Sequence, residues 1–462
     1  MKRYHLKFTS LLCLNLLLWN GLQAQESLQQ FSKPVEAALK HSKSIQNATL
    51  ENQKVALDRE EVKGKFLPKV SMNALYGYVN TGLDVDLPTQ QLPLPGLSLF
   101  EGTTKGNVSS QVFATGVTAT QVIFSGLQIT NGQKALEQKY IAQALITEAG
   151  YDVLAQEIVT SFDQLMLLKE VDVLINESEK RLNKEHLKVV KAIENGVAIP
   201  YDRDKIKLAI LELESKRAEV HSNRELLYYK LEELTGLSME DLQAVSYTLD
   251  EIVLGQDAMQ MNRKEIEALE TSQKAYEYVL KKEKGAQLPM LFAFGNVSYL
   301  NAFDTKATVK DIPQLGDLTL KSNHFQMAPT FAVGVGMKWN IFEGKSHKAG
   351  IEKAKLDLEI NSNKLADTKE KLSLLQRKTK SDYELALKKV SVNKQQMTIA
   401  QNNLHLASRQ FEEGLQDVTE RLEAENEYYK QSLSYYNQVL SQRTAATEVL
   451  KSNGNLYQTI SR

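Results

Sequence analysis

Between Thr330 and Ile341 apolar and polar side chains alternate. Phe331, Val333, Val335, Met337, Trp339 and Ile341 fall on one face, and Thr330, Ala332, Gly334, Gly336, Lys338 and Asn340 on the other. A period of two predicts a β-strand whose two faces meet different surroundings. The stretch ends at Gly344, where a helix-period pattern takes over. The same arrangement occurs earlier, from Phe113 to Gly126. Phe113 and Phe331, Gly116 and Gly334, Phe124 and Phe342, and Gly126 and Gly344 all lie 218 positions apart. A strand feeding a very long helix, twice in one chain, predicts an internal repeat.

Taken in order, the chain predicts a helix over Leu28–Phe66 that stops at Leu67-Pro68, then a strand from Val70 to Tyr78. A Pro- and Gly-rich loop, Leu87 to Gly106, leads to a returning strand, Val112 to Phe124. The helix after Gly126 runs to about Glu194, roughly 68 residues or about 100 Å. It ends at Asn195-Gly196-Val197-Ala198-Ile199-Pro200, glycine at the stop and proline before the restart, and a return helix spans Tyr201–Thr235. Residues 237–260 read as an irregular connector. The plan then recurs: helix Asn262–Gln287, stop at Leu288-Pro289, strand Met290–Tyr299, a loop holding Pro313, strand, and a long helix to about Glu413. Gly414 and Gly454 stand 218 positions beyond Gly196 and Gly236. The expected division is 1–24, 25–236, 237–261 and 262–462. In the first repeat the two shorter helices, roughly 38 and 35 residues, come near the roughly 68 of the long one and could stack end to end beside it. The segments 83–107 and 304–325 are expected to be loops.

Four strands cannot close a barrel, for which about eight is the smallest useful number. Their edges therefore require other copies of the chain. Three chains would supply twelve strands.

Composition then narrows the class. With 42% apolar and 24% charged residues the chain is a folded protein with solvated helices, not a disordered one. Residues 1–24 carry Lys2, Arg3 and Lys7, an apolar run from Leu11 to Trp19, and Gly21-Leu22-Gln23-Ala24, which together read as an export signal. The net charge is −1, and −4 without those three basic residues, so nucleic acid is not an expected partner. The sole cysteine, Cys13, lies within the signal, leaving no disulfide or thiolate metal site in the remainder. No later stretch is apolar and long enough for a membrane helix, yet an exported chain can still cross a membrane as barrel strands. No nucleotide-binding GxxxxGK[ST] or metal-binding HExxH occurs, and the histidines are scattered singly. No enzyme activity, cofactor or metal is expected.

The order and spacing of these marks resemble the outer membrane efflux protein family typified by TolC. The resemblance rests on the Leu67-Pro68 and Leu288-Pro289 helix ends and the junctions Phe124-Ser125-Gly126 and Phe342-Glu343-Gly344. It also rests on Asn262-Arg263-Lys264-Glu265-Ile266-Glu267-Ala268 and on the turns at Asn195-Gly196-Val197 and Glu413-Gly414-Leu415. It covers essentially the whole chain after residue 24. It implies a mixed α and β fold: a homotrimeric transmembrane β-barrel, four strands per chain, continuous with a long periplasmic α-helical barrel. The implied function is a passive exit duct in the outer membrane for a tripartite efflux pump or type I secretion system. The implied partners are sister chains, a periplasmic membrane-fusion adaptor, an inner-membrane transporter and outer-membrane lipid.

The resemblance also assigns site residues. Glu420 and Glu423, three apart on one helix face, would ring the periplasmic entrance and favour cations. The plainer reading is a solvated face shared with Glu425 and Glu427. Asp202 falls where relatives latch the closed state to an arginine, but the arginine's place holds Gln416. Arg203, Arg409 or Arg421 would have to substitute, and a helix cap is the alternative for Asp202. Gly196, Val197, Gly414 and Leu415 would form adaptor-docking tips. Tyr76, Tyr78, Tyr299 and Trp339 would form an aromatic membrane-interface belt. The competing class is a soluble periplasmic coiled-coil adaptor or scaffold, which would carry only short strands in compact β domains.

Overall fold

The computed structural model describes residues 28–91, 98–256, 259–312 and 316–461. The expected export signal and Leu94, Pro95, Gly96 and Pro313 of the expected loops lie outside them. The chain divides into two compact units. One comprises Val55–Gln138 and Lys274–Glu359, and the other the segments up to Lys54, Lys139–Gln273 and Ile360–Arg462.

The described elements run in the order α1 (Ser32–His41), α2 (Lys43–Gly64), β1 (Lys69–Gln91), β2 (Ser98–Phe124), α3 (Gln128–Glu194), α4 (Pro200–Thr235) and α5 (Met239–Ala244). The second half holds α6 (Lys264–Gly285), β3 (Met290–Ile312), β4 (Gly316–Lys338), α7 (Ser346–Glu412), α8 (Val418–Asn453) and α9 (Leu456–Ser461). The fold is thus long helices with antiparallel strands. Helices α3 and α7 each hold 67 residues, and α4 and α8 each hold 36. Gly196 and Gly414, at φ +73° and +72°, adopt the left-handed conformation that turns one helix into the next. An added Cβ at either would touch nothing, so conformation alone demands glycine there.

The unit holding Val55–Gln138 contains one four-stranded antiparallel sheet in the order β1-β2-β3-β4. It is open: β1 and β4 each pair on one side only. Its register creates two unlike faces. Met72, Val117, Val297 and Phe331 form one cross-strand row, and Val70, Ala119, Gly295 and Val333 the next on the same face. The opposite face carries Ser71, Thr118, Asn296 and Ala332, then Asn73, Gly116, Ser298 and Thr330.

Here the sequence expectation needs correcting. The segments 83–107 and 304–325 are mostly strand, with Leu83 opposite Gly106, Asp84 opposite Lys105 and Thr308 opposite Thr319. Hairpin pairing satisfies backbone groups whatever the side-chain polarity, so the ladders continue after the apolar alternation has ceased. At the other end β4 stops at Lys338, short of the predicted Ile341, because β3 begins at Met290 and offers no partner beyond it. Two smaller differences concern helices. Ser42 divides the predicted first helix into α1 and α2, and the connector contains the short helix α5, capped by the Ser238 hydroxyl.

In the other unit, α3 packs its buried stripe Val171, Leu174, Ile175, Leu182 and Val189 against Ile206, Leu213 and Val220 of α4 and Val418 and Tyr429 of α8. The seven-residue spacing of the α4 positions is that of a coiled coil. A second cluster joins Phe31 and Val35 to Ile158, Phe162, Val439 and Leu450. On α7 a further heptad series, Leu385, Val392, Ile399 and Leu406, remains exposed.

Candidate functional site

Three surfaces hold the residues singled out by sequence: the sheet, the strand-to-helix junctions and the paired helical turns.

On the sheet, the apolar face is bare. Val333 is 87% exposed, and Val70, Met72, Phe331, Val335 and Met337 are likewise exposed. From Val70 to Tyr78 this face spans about 27 Å at strand rise. Tyr76 and Tyr78 are exposed near its far end. Tyr76 donates its hydroxyl to Gln111 Oε1 at 2.7 Å and stacks on Phe303, while Tyr299 tilts against Phe113. Trp339 lies just past β4, half-exposed, and its indole N–H donates to the Gln287 carbonyl at 3.0 Å. That contact fixes the ring although the predicted strand does not extend to it.

At the first junction Phe124 ends β2 and the Ser125 hydroxyl accepts the Ile129 N–H at 3.2 Å, starting α3. Gly126 and Gly344 share φ +63°, but only Gly126 is hemmed in, by the Gly285 carbonyl and Leu288. Phe342 and Ile341 are exposed.

At the turns, α3–α4 and α7–α8 lie side by side. Lys188 pairs with Glu412 at 2.6 Å, and Lys205 Nζ donates to the Thr419 hydroxyl at 2.7 Å. Val197 and Leu415, 81% and 74% exposed, crown the two turns. The Asp202 carboxylate accepts the Ile199 N–H at 3.3 Å, so it caps the start of α4 from the third helical position rather than the N-cap itself. None of the three candidate arginines pairs with it. Arg203 instead bridges Asp204 at 2.8 Å. Gln416 leaves its buried Oε1 without a hydrogen-bond partner among the described residues. Glu420 and Glu423 are both exposed, together with Glu427.

Glu425 departs from the solvated reading. It is buried and joins a chain of charges that the sequence reading missed. Arg181 Nη2 meets Glu425 Oε1 at 2.8 Å, Arg421 Nη2 meets Glu425 Oε2 at 2.9 Å, and Arg421 Nη2 reaches Glu185 Oε1 at 2.7 Å. Arg421 is 1% exposed. Burial alone would push the Glu425 carboxyl up, but hydrogen bonding and charge from Arg181, with the charge of Arg421, outweigh it and hold it below the ordinary value. Burial pushes Glu185 up, against Arg421. A signal existed: Arg421 and Glu425 lie on the same three-and-four-spaced stripe as Val418 and Tyr429, where charges are expected only in pairs.

Further along α8, Arg443 lies 2.8 Å from Asp163, which also accepts the Tyr247 hydroxyl at 2.6 Å. Gln442 holds both backbone groups of Ile252, its Oε1 accepting the N–H at 3.0 Å and its Nε2 donating to the carbonyl at 2.7 Å. These contacts bind the connector to α3 and α8 and satisfy both backbone polar groups of Ile252.

No family model matches the sequence, and no curated protein matches it. Solved structures do match in fold. The outer-membrane channel OprN superposes with a TM-score of 0.70 at 15% identity, over 94% of this chain and 92% of that chain. The Neisseria gonorrhoeae MtrE outer membrane channel, in its open state, gives a TM-score of 0.68 at 16% identity, over 94% and 91%. The Campylobacter jejuni CmeC outer membrane channel gives 0.66 at 14% identity, over 93% and 86%. The fold of this chain is that of the TolC-like outer-membrane channels.

Proposed function

We propose that this chain is one protomer of a homotrimeric outer-membrane channel that serves as the passive exit duct of an efflux pump or type I secretion system. The observation that carries the reading is the open sheet. Its edge strands β1 and β4 lack outer partners, and one face is apolar and exposed over the Val70–Tyr78 and Phe331–Met337 stretch. An exposed apolar sheet of this extent is unstable in water, whereas a bilayer's apolar band of about 25 Å matches its height. Three such sheets joined edge to edge make a twelve-stranded barrel without edges. The exposed heptad series Leu385, Val392, Ile399 and Leu406 supplies a matching seam for helices of sister chains.

The internal repeat supports this reading. The helices Gln128–Glu194 and Ser346–Glu412, and likewise Pro200–Thr235 and Val418–Asn453, begin and end 218 positions apart. Such duplication lets each chain occupy two similar places in a closed ring. The helical turns, with Val197 and Leu415 bare, suit the hairpins of a periplasmic adaptor, which would link the duct to an inner-membrane transporter. Glu420 and Glu423, three chains deep, would set an acidic entrance. Tyr76, Tyr78 and Tyr299 at one level and Trp339 at the other would mark the two membrane interfaces. Strands of 23 to 27 residues in one sheet weigh against the soluble scaffold.

The test is direct. The protein should pellet with the outer membrane, run in mild detergent at the mass of three chains, and conduct ions in planar bilayers. A monomer in the soluble periplasmic fraction would sink the reading.

A further inference from the structure

At the helix end of the sheet a cavity of about 910 Å³ lies among residues of one unit. Leu67, Pro68, Val122, Ile129, Met290 and Phe292 make most of its wall apolar. Its charged groups are Lys65, Lys69, Lys338 and Glu61, a balance of three ammonium groups to one carboxylate. None of the four makes an ion pair or a side-chain hydrogen bond among the described residues, although the helices beyond are laced with such pairs. The beginning of α3, with Ser125 and Gln128 in the wall, adds the partial positive charge of a helix amino terminus.

Position in the sheet decides from which side a ligand would come. Lys69 stands opposite Thr120, and Lys338 opposite Met290, on the face that carries Ser71 and Asn73. That is the reverse of the apolar Val333 face. The rings of Phe292 and Phe294 lie over Gly336 and Gly334 on this same side, an apolar patch within an otherwise polar surface. Apolar walls with unpaired cations fit a molecule that has an apolar body and an anionic head. The volume is that of a site for a molecule of drug size.

Resting on the conduit reading above, we propose that this cavity is a transit site for anionic amphiphiles, single-chain carboxylates or sulfonates, on the channel side of the sheet. The head pairs with Lys65, Lys69 and Lys338, and the chain lies against Met290 and Phe292. A lipid bearing a phosphate head shares this chemistry, but the cavity's position on the polar face assigns it to cargo rather than to bilayer lipid.

The experiment uses the full protein in neutral maltoside detergent and a dansyl-undecanoate probe whose fluorescence rises on entering an apolar site. Wild type should bind the probe, decanoate should displace it and decanol should not. The triple variant Lys65→Gln, Lys69→Gln, Lys338→Gln should bind about tenfold more weakly or worse, while Lys63→Gln, outside the cavity, should match wild type. Equal affinity in the triple variant, or equal binding of the probe's methyl ester, overturns the proposal. Loss of binding in vesicles containing phosphatidylglycerol, but not in phosphatidylcholine alone, overturns the cargo assignment in favour of lipid. Bilayer conductance is measured on the same preparation. A conducting channel that does not bind the probe refutes the transit site alone, and a preparation that never conducts refutes the conduit reading itself.

Discussion

Gly126 and Gly285 meet backbone to backbone: a Cβ added to either would fall against the carbonyl oxygen of the other. The contact seats the junction between β2 and α3 on the end of α6, and it has no room for a side chain. Gly344 occupies the corresponding junction of the second half with the same φ and nothing near it.

This difference sets an ordered expectation. Gly344→Ala should cost only the left-handed conformation, about 1–2 kcal/mol. Gly126→Ala adds overpacking to that, about 1–3 kcal/mol more. Thermal melts of the two variants check the order. Equal losses would mean that the two backbones do not touch.

The buried charge chain makes a second prediction. Glu425→Ala leaves Arg181 and Arg421 without their shared carboxylate and should destabilise by about 3–5 kcal/mol, whereas exposed Glu423→Ala should cost well under about 1 kcal/mol. Because the folded carboxyl of Glu425 titrates below the ordinary value, its stabilisation is present above the unfolded value and is lost as pH falls through the folded one. Denaturant melts at falling pH should therefore show a decline in wild type that Glu425→Gln does not share.

Asp152 should behave in the opposite sense. Its carboxylate accepts the Tyr457 N–H at 2.7 Å near the start of α9, and burial, only partly offset by that hydrogen bond, pushes its pKa to about 6. A carboxyl raised on folding contributes stability that is complete below its unfolded value, near 4, and lost as pH rises through about 6. Between about pH 4 and about pH 7 wild type should lose up to about 3 kcal/mol that Asp152→Asn retains. Parallel stability curves for the two proteins would refute the assignment.

For the proposed entrance, Glu420→Gln combined with Glu423→Gln should lower cation preference, read as a shift of reversal potential in a salt gradient across a planar bilayer. Both side chains are exposed, so folding should be unaffected. Unchanged reversal potentials would remove these residues from the pore.

Much of the secondary structure was legible because its determinants are local. Glycines 126, 196, 236, 344, 414 and 454 all adopt positive φ, and each stands at a helix boundary that residue type alone could announce. The helices themselves end at Gly64 and Gly285, and Pro68 and Pro289 stand just before β1 and β3, where a fixed φ and a missing N–H bar a return to helix. The alternation of Val333 with Gly334 marked a strand with two faces. It did not mark the strand's length, since the hairpins beyond Tyr78 are held by backbone ladders that side chains do not advertise.

The helical turns show the other limit. Spacing put Glu420 and Glu423 on one helix face, but residue type could not tell the exposed Glu423 from the buried Glu425 two positions on. That was decided by Arg181 and Glu185, more than two hundred positions away in the chain. Likewise Asp163 and Arg443, or Gly126 and Gly285, carry no mark of each other in sequence. Periodicity and backbone geometry act over a few residues and can be read directly. Burial, charge pairing and close backbone approach depend on which distant segments meet, and only the folded chain decides that.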